Sequence, residues 1–195
     1  IGLAFGFFTF SIVYALVGID LSKITLKQNI ILSIIEYIIF LILLFIIYRK
    51  YLKEKWFDFK KNFKSYMEVS LKYWLTGYIG MFVSNNIIMR FITNLGENEN
   101  AVQEMITDFP FLALLMVTIF APIIEEMIFR KSLQDSFKNK IFYAVMSGLI
   151  FGYIHVMGST NPFEYLLIIP YGSLGVAFAC ILNKTDNVYC SILMH

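Results

Sequence analysis

The chain has little charge. Asp, Glu, Lys and Arg make up 15% of its 195 residues, against about 25% in ordinary soluble domains. What charge there is nearly cancels, to +2, which argues against a nucleic-acid partner. Cysteine is scarce as well. Cys180 and Cys190 lie in apolar surroundings without C-x-x-C spacing, so they read as small packing residues rather than as a disulfide or thiol metal site. Histidine occurs only at positions 155 and 195. No internal repeat and no low-complexity linker divides the chain. It opens on Ile1 rather than Met, so a longer chain is expected and no leader can be read.

What is abundant is apolar sequence, 58% of the residues, in long runs. Ile30 to Tyr48 carries one charge, Glu36, and its ~19 residues nearly match the ~20 needed to cross a hydrocarbon core. A soluble core of this size would show amphipathic stripes and more charge. The reading is an all-α, polytopic transmembrane bundle of about seven spans. Their expected bounds are 1–19, 30–48, 69–93, 109–136, 141–157, 163–182, and a segment from Val188 cut at His195. Residues 1–195 form a single membrane domain. Within it, 1–108 supplies N-terminal helices and 109–195 the core that carries the site.

Arg49 to Lys64 sets seven Lys and Arg against Glu54 and Asp58, with Trp56, Phe57, Phe59 and Phe63 between them. This predicts an amphipathic helix on an anionic leaflet. The positive-inside rule makes it cytoplasmic. Alternation then places the acidic 94–108 loop outside and the basic turn around Arg130 to Lys140 inside. Glu36 reads as facing the bundle interior or a polar crevice. Asn86 and Arg90, four apart, share a helical face and read as a polar interhelical contact near the membrane edge.

The unusual stretch is Ile123-Ile124-Glu125-Glu126-Met127-Ile128-Phe129-Arg130. A carboxylate at bilayer depth is costly, and two side by side repel. On a helix, Glu126 and Arg130 are i and i+4 with the acid first, the favourable order for an ion pair. Glu125 lies ~100° around from Glu126 on a regular helix, free to face a cavity, so Glu126 is expected to be neutralised by Arg130 and Glu125 to do the chemistry. Pro122 is expected to kink the helix just before them. His155 and His195 each sit in an apolar segment, and Phe151 is one helical turn before His155. A Glu and two His from three helices could hold a water and polarise a carbonyl. They could equally bind Zn2+, for which two His and one Glu is a known catalytic set.

The Glu-Glu-x-x-x-Arg of Glu125, Glu126 and Arg130 resembles the first motif of the CPBP intramembrane proteases, the family of the CAAX prenyl endopeptidases and of bacteriocin-processing or immunity proteins. The Phe-x-x-x-His of Phe151 and His155 resembles the second. Tyr171 through Gly172 and Gly175 to Ser191-Ile192-Leu193-Met194-His195 resembles the last, which ends in His-x-x-x-Asn; that asparagine falls past His195. The resemblance covers about residues 109–195. It implies a helical membrane fold with the site in an intramembrane cavity. It implies Glu125, His155 and His195 as catalytic residues or metal ligands, with Glu126, Arg130 and Phe151 in support.

The function expected on these grounds is an intramembrane endopeptidase acting on a membrane-associated or lipidated peptide, with Zn2+ as its cofactor or with none. The abundance of Ile, Lys and Asn suggests a bacterial cell membrane, which favours processing of a peptide precursor. A non-catalytic immunity factor or scaffold using the same cavity is the alternative. A transporter with a glutamate ion site is a third reading, weakened by the lack of a repeated half.

Overall fold

The computed structural model describes residues 26–91 and 97–195. The first expected span, 1–19, and the end of the third, 92–93, lie outside these residues. Among the described residues every regular element is helical: α1 (Leu26–Ile88), α2 (Glu97–Asp108), α3 (Pro110–Ser136), α4 (Lys140–Val156), a 3-10 turn (Pro162–Leu167) leading into α5 (Ile168–Thr185), and α6 (Val188–Met194).

Seven spans is a correction. Among the described residues, two helices are long and apolar enough to cross a membrane, α3 with 27 residues and Pro162–Thr185 with 24. Helix α4 is apolar but has only 17 residues, and α6 has seven. The expected second span, the basic stretch and most of the third lie on α1, 63 residues long and made of two helices that meet at a kink at Asn62. Hydropathy divides this region at its charges. The backbone runs on through the charges as far as Asn62, because no Gly or Pro occurs between Leu26 and Thr76 and Leu, Lys, Glu and Met all propagate a helix, and it breaks there.

One residue interrupts α1. Asn62 has φ −107° and ψ 15°, outside the helical well. Its Nδ2 donates to the Asp58 side chain at 2.8 Å and to the Asp58 carbonyl at 3.3 Å, a local bond that competes with the helical ladder. Before the break α1 lies along α3, with Tyr37 stacked near Phe120 and Tyr48 bonded to Ser132. After it, α1 runs antiparallel to α5, since Gly77 meets Ala177 and Ile88 packs on Leu167. Helix α1 ends at Ile88, ahead of Arg90, and Asn86 donates its amide to the carbonyl of Phe82 one turn back on the same helix.

The later helices start on asparagines. Asn139, Asn161 and Asn187 each accept backbone N–H groups at the first turn that follows them, satisfying donors the helix leaves open. Helices α4 and α5 then approach backbone to backbone. A Cβ at Gly148 would lie 2.8 Å from the Gly172 carbonyl oxygen, and one at Gly152 would lie 2.5 Å from that of Ile168. This is the small-residue spacing that lets apolar helices pack without a hydrophobic gradient. It sets α4 and α5 as a rigid pair beside α3.

Candidate active site

Helix α3 is not a regular helix where the motif lies. Two stretches, Met116–Phe120 and Glu126–Ser132, are π-helical. The first absorbs Pro122, with the Ala121 N–H bonded to the Met116 carbonyl, so the helix widens ahead of the proline. The second spans Glu126 to Ser132 and shifts the ladder toward i→i+5 bonds. Such bulges are common at functional sites. The carbonyls it disturbs are taken up by α4. Ser147 Oγ donates to Phe129 O at 2.7 Å and Tyr143 Oη to Arg130 O at 3.0 Å. Ser132 Oγ donates to Met127 O at 3.2 Å. Tyr143 and Ser147 are buried and one turn apart on α4, so one face of α4 holds the bulge in place.

The bulge presents Glu126 and Arg130 inward, with Glu125 just ahead of it, and all three are buried. Glu126 faces Arg130 at 3.3 Å. The guanidinium lies over the ring of Phe151, 4.4 Å from its centroid, and 5.5 Å from that of Phe178. His195, at the end of α6, closes the cluster. Its Nδ1 is 3.0 Å from Glu126 Oε1 and its Nε2 is 3.6 Å from Glu125 Oε2. Phe178 stacks on its ring at 4.9 Å. Both glutamates therefore address one histidine. The expected Glu126–Arg130 pair is present and Glu125 approaches His195; the contact of Glu126 with the same histidine is additional to that expectation. The i→i+5 winding turns less per residue than the regular helix assumed for the ~100° step.

The tautomers follow from the partners. Glu126 accepts from Nδ1–H of His195, so in the neutral ring Nε2 offers a lone pair toward Glu125. Two acceptors 3.6 Å apart need a proton, a water or a cation between them. At His155 the acceptor is the carbonyl of Phe151, 2.6 Å from Nδ1. Nδ1 must donate, which leaves a lone pair on Nε2. That atom is buried with no hydrogen-bond partner among the described residues, as are both oxygens of Glu125.

His155 is joined to the cluster through aromatic rings rather than directly. Phe151 stands 4.3 Å from His155 and 5.8 Å from His195. The open lone pairs of Glu125, His155 and His195 are the donor types zinc takes. Among the described residues, however, no three His, Cys, Asp or Glu side chains gather as around one ion. The chemistry of the donors suits the metal; their placement does not close on it.

Two neighbours escaped the sequence reading. Phe178 supports both His195 and Arg130. It is seven residues after Tyr171, on the same face of α5, a spacing that could have marked it. Glu99 of α2 accepts a hydrogen bond from Tyr171, whose ring lies 4.4 Å from His155. Nothing in the acidic 94–108 stretch distinguished that glutamate from the others.

Apolar helices closing on a buried acid pair, an arginine and two histidines define a class, a helical membrane protein with an internal acid–base centre. Residues 107–195, which contain every one of these groups except Glu99, match the family described as type II CAAX prenyl endopeptidase Rce1-like. The UPF0177 protein YbdI of Lactococcus lactis is 31% identical over 166 residues, 81% of this chain and 87% of that protein. The protein named "Putative membrane peptidase YdiL" of Bacillus subtilis is 27% identical over 172 residues, 84% of this chain and 66% of that protein. A Mycoplasma capricolum protein is 27% identical over 147 residues, 68% of this chain; the chain spans 42% of that relative's length. No solved structure matches the chain. The chain belongs to the CPBP family, that of the CAAX-type intramembrane proteases.

Proposed function

We propose that this protein is an intramembrane endopeptidase that cleaves a membrane-associated or lipidated peptide with a water activated by Glu125. The observation that carries this reading is the Glu125 carboxylate. It is buried, neither oxygen has a hydrogen-bond partner among the described residues, and it stands 3.6 Å from a histidine nitrogen. As a structural element such a group is only costly. As a seat for water between Glu125 and His195 it has a use.

In the proposed reaction Glu125 takes a proton from the water, and the hydroxide oxygen bonds to the carbonyl carbon of the substrate. When the carbon–nitrogen bond breaks, the proton passes from Glu125 to the leaving nitrogen. Glu126 holds Nδ1 of His195 and so keeps Nε2 directed at the water. Arg130 offsets the negative charge of the pair. The donor types of Glu125, His155 and His195 suit zinc but do not gather around one ion among the described residues, so no step of the reaction is routed through a metal. The basic 49–64 region is proposed to face the cytoplasm of a bacterial cell, and the substrate to be a peptide precursor.

The test is full-length protein in liposomes with a panel of membrane peptides. Wild type is expected to cleave at least one, and Glu125→Gln to lose roughly 100-fold or more, the scale of a general base. Cleavage by Glu125→Gln at the wild-type rate sinks the mechanism. No cleavage at all, with a cellular phenotype that survives Glu125→Gln and His155→Ala, makes the protein a scaffold or immunity factor instead. Metal content, measured on wild type and His195→Ala, separates the zinc and metal-free forms.

A further inference from the structure

Two grooves on one side of α1 join end to end. The first, of about 830 Å3, has Arg49, Lys50 and Lys53 on its rim, above Phe45, Leu52 and Trp56. The second, of about 370 Å3, shares Phe45 and Leu52 with it and continues between Leu41 and Ile46 of α1 to Ile123 and Met127 of α3. One end of the joined trough is cationic and the other carries no charged side chain.

What sets the three cations apart is that they line an apolar trough while making no ion pair; Lys61 and Lys64 are equally exposed and unpaired among the described residues but line neither groove. Lys55 pairs with Asp186, Lys131 with Asp135, and Lys60 lies over Trp56 and Phe57. Arg49, Lys50 and Lys53 are exposed and make no ion pair or hydrogen bond among the described residues. From Leu41 to Lys53 the helix rises ~18 Å. That is close to the ~15 Å of one leaflet's hydrocarbon with a headgroup above it.

We infer that this trough is a binding site for one anionic phospholipid, its phosphate on Arg49, Lys50 and Lys53 and an acyl chain along Phe45, Leu52 and Ile46. A free phosphate would leave the apolar trough unused, and an uncharged alkyl chain would leave the three cations unanswered. The trough is floored by Ile123 and Met127, which flank the two glutamates in sequence, so a seated lipid packs against the outer side of the helix segment that carries the acid–histidine cluster. The inference takes from the function proposed above only that the chain sits in a membrane.

The experiment is native mass spectrometry of the full-length protein with phosphatidylglycerol or phosphatidylcholine. Wild type is expected to retain phosphatidylglycerol about tenfold more tightly, a preference of the size a few cations supply at an anionic surface. Substituting Arg49, Lys50 and Lys53 together by Gln should abolish the preference. Substituting Lys60, Lys61 and Lys64 by Gln removes the same charge elsewhere on α1 and should keep it. Ile46→Glu, which leaves the cations intact, should weaken retention by charging the trough. None of these residues belongs to the acid–histidine cluster, so peptide cleavage and lipid retention are read independently. Equal retention of the two lipids overturns the site. So does equal loss in both triple variants, which would mean diffuse surface charge only. Displacement of the lipid by millimolar inorganic phosphate, or indifference to Ile46→Glu, would mean an anion patch without a chain site.

Discussion

Glu125 and Glu126 are adjacent, equally buried and chemically identical, yet their surroundings differ. Glu126 has Arg130 on one oxygen and His195 on the other. Among the described residues, Glu125 has the distant Nε2 of His195 alone. Removing one partner of a buried ion pair strands the other and costs about 3–5 kcal/mol. Glu126→Gln is therefore expected to lower thermal stability sharply, with Arg130 left against the rings of Phe151 and Phe178. Glu125→Gln removes a charge that no donor compensates and is expected to leave stability unchanged or raised while abolishing activity. Thermal unfolding of the two variants in detergent separates them, and equal destabilisation would show that Glu125 is as structural as its neighbour. Of this arrangement the sequence reading reached the Glu126–Arg130 pair, because i and i+4 stay close even in the bulge. It also set Glu125 with His195, and missed only that Glu126 reaches the same ring, since a regular helix turns the two acids apart.

The element that makes the difference is the π-helical stretch Glu126–Ser132. Its cause is not local. Nothing between Glu126 and Ser132 forbids an ordinary helix, and the carbonyls freed by the wider turn find their donors on α4, at Tyr143 and Ser147. A pattern read along one strand of sequence cannot contain a partner 18 residues away, just as it could not join the two apolar runs of α1 through the basic stretch between them. What was legible was the boundary chemistry: the polar turns before α4, the 3-10 turn and α6 were visible, and an asparagine caps each. Ser147→Ala should leave the buried Phe129 carbonyl short of a partner, at a cost of about 1–3 kcal/mol. If the bulge orients the acids, the same variant should also lower kcat, with KM nearly unchanged. Ser147→Thr, which restores the hydroxyl, should recover much of the rate. Loss of stability without loss of rate would make the α4 contacts scaffolding alone.

At the scale of the whole molecule, the break in α1 and the turn between α5 and α6 are tied to one carboxylate. Asp58 accepts from Tyr66 at 2.7 Å, from Asn62 at 2.8 Å and from Asn187 at 3.0 Å. Asn187 is fully buried, donates also to the Lys55 carbonyl at 2.8 Å, and caps the helix that ends in His195. Whatever holds Asp58 charged thus fixes where α6 starts and, seven residues on, where His195 meets the glutamates. The Tyr66 hydroxyl first, then Asn187 and Asn62, with Lys55 nearby, hold the Asp58 carboxyl below its ordinary value of 3.8. A carboxyl depressed in the folded state stabilises the fold above its unfolded value and loses that contribution as pH falls through the lower folded value. The α1–α6 junction is therefore expected to be insensitive to pH from neutrality down to about 4 and to loosen below it. Hydrogen exchange at Tyr189 and Cys190, followed from pH 6 to pH 3 in wild type and Asp58→Asn, checks this. Wild type should lose protection only in the acid range. The variant keeps an acceptor oxygen without the charge, and should be less protected at pH 6 and nearly flat below. An acid transition of the same size in Asp58→Asn would place its origin in another carboxylate.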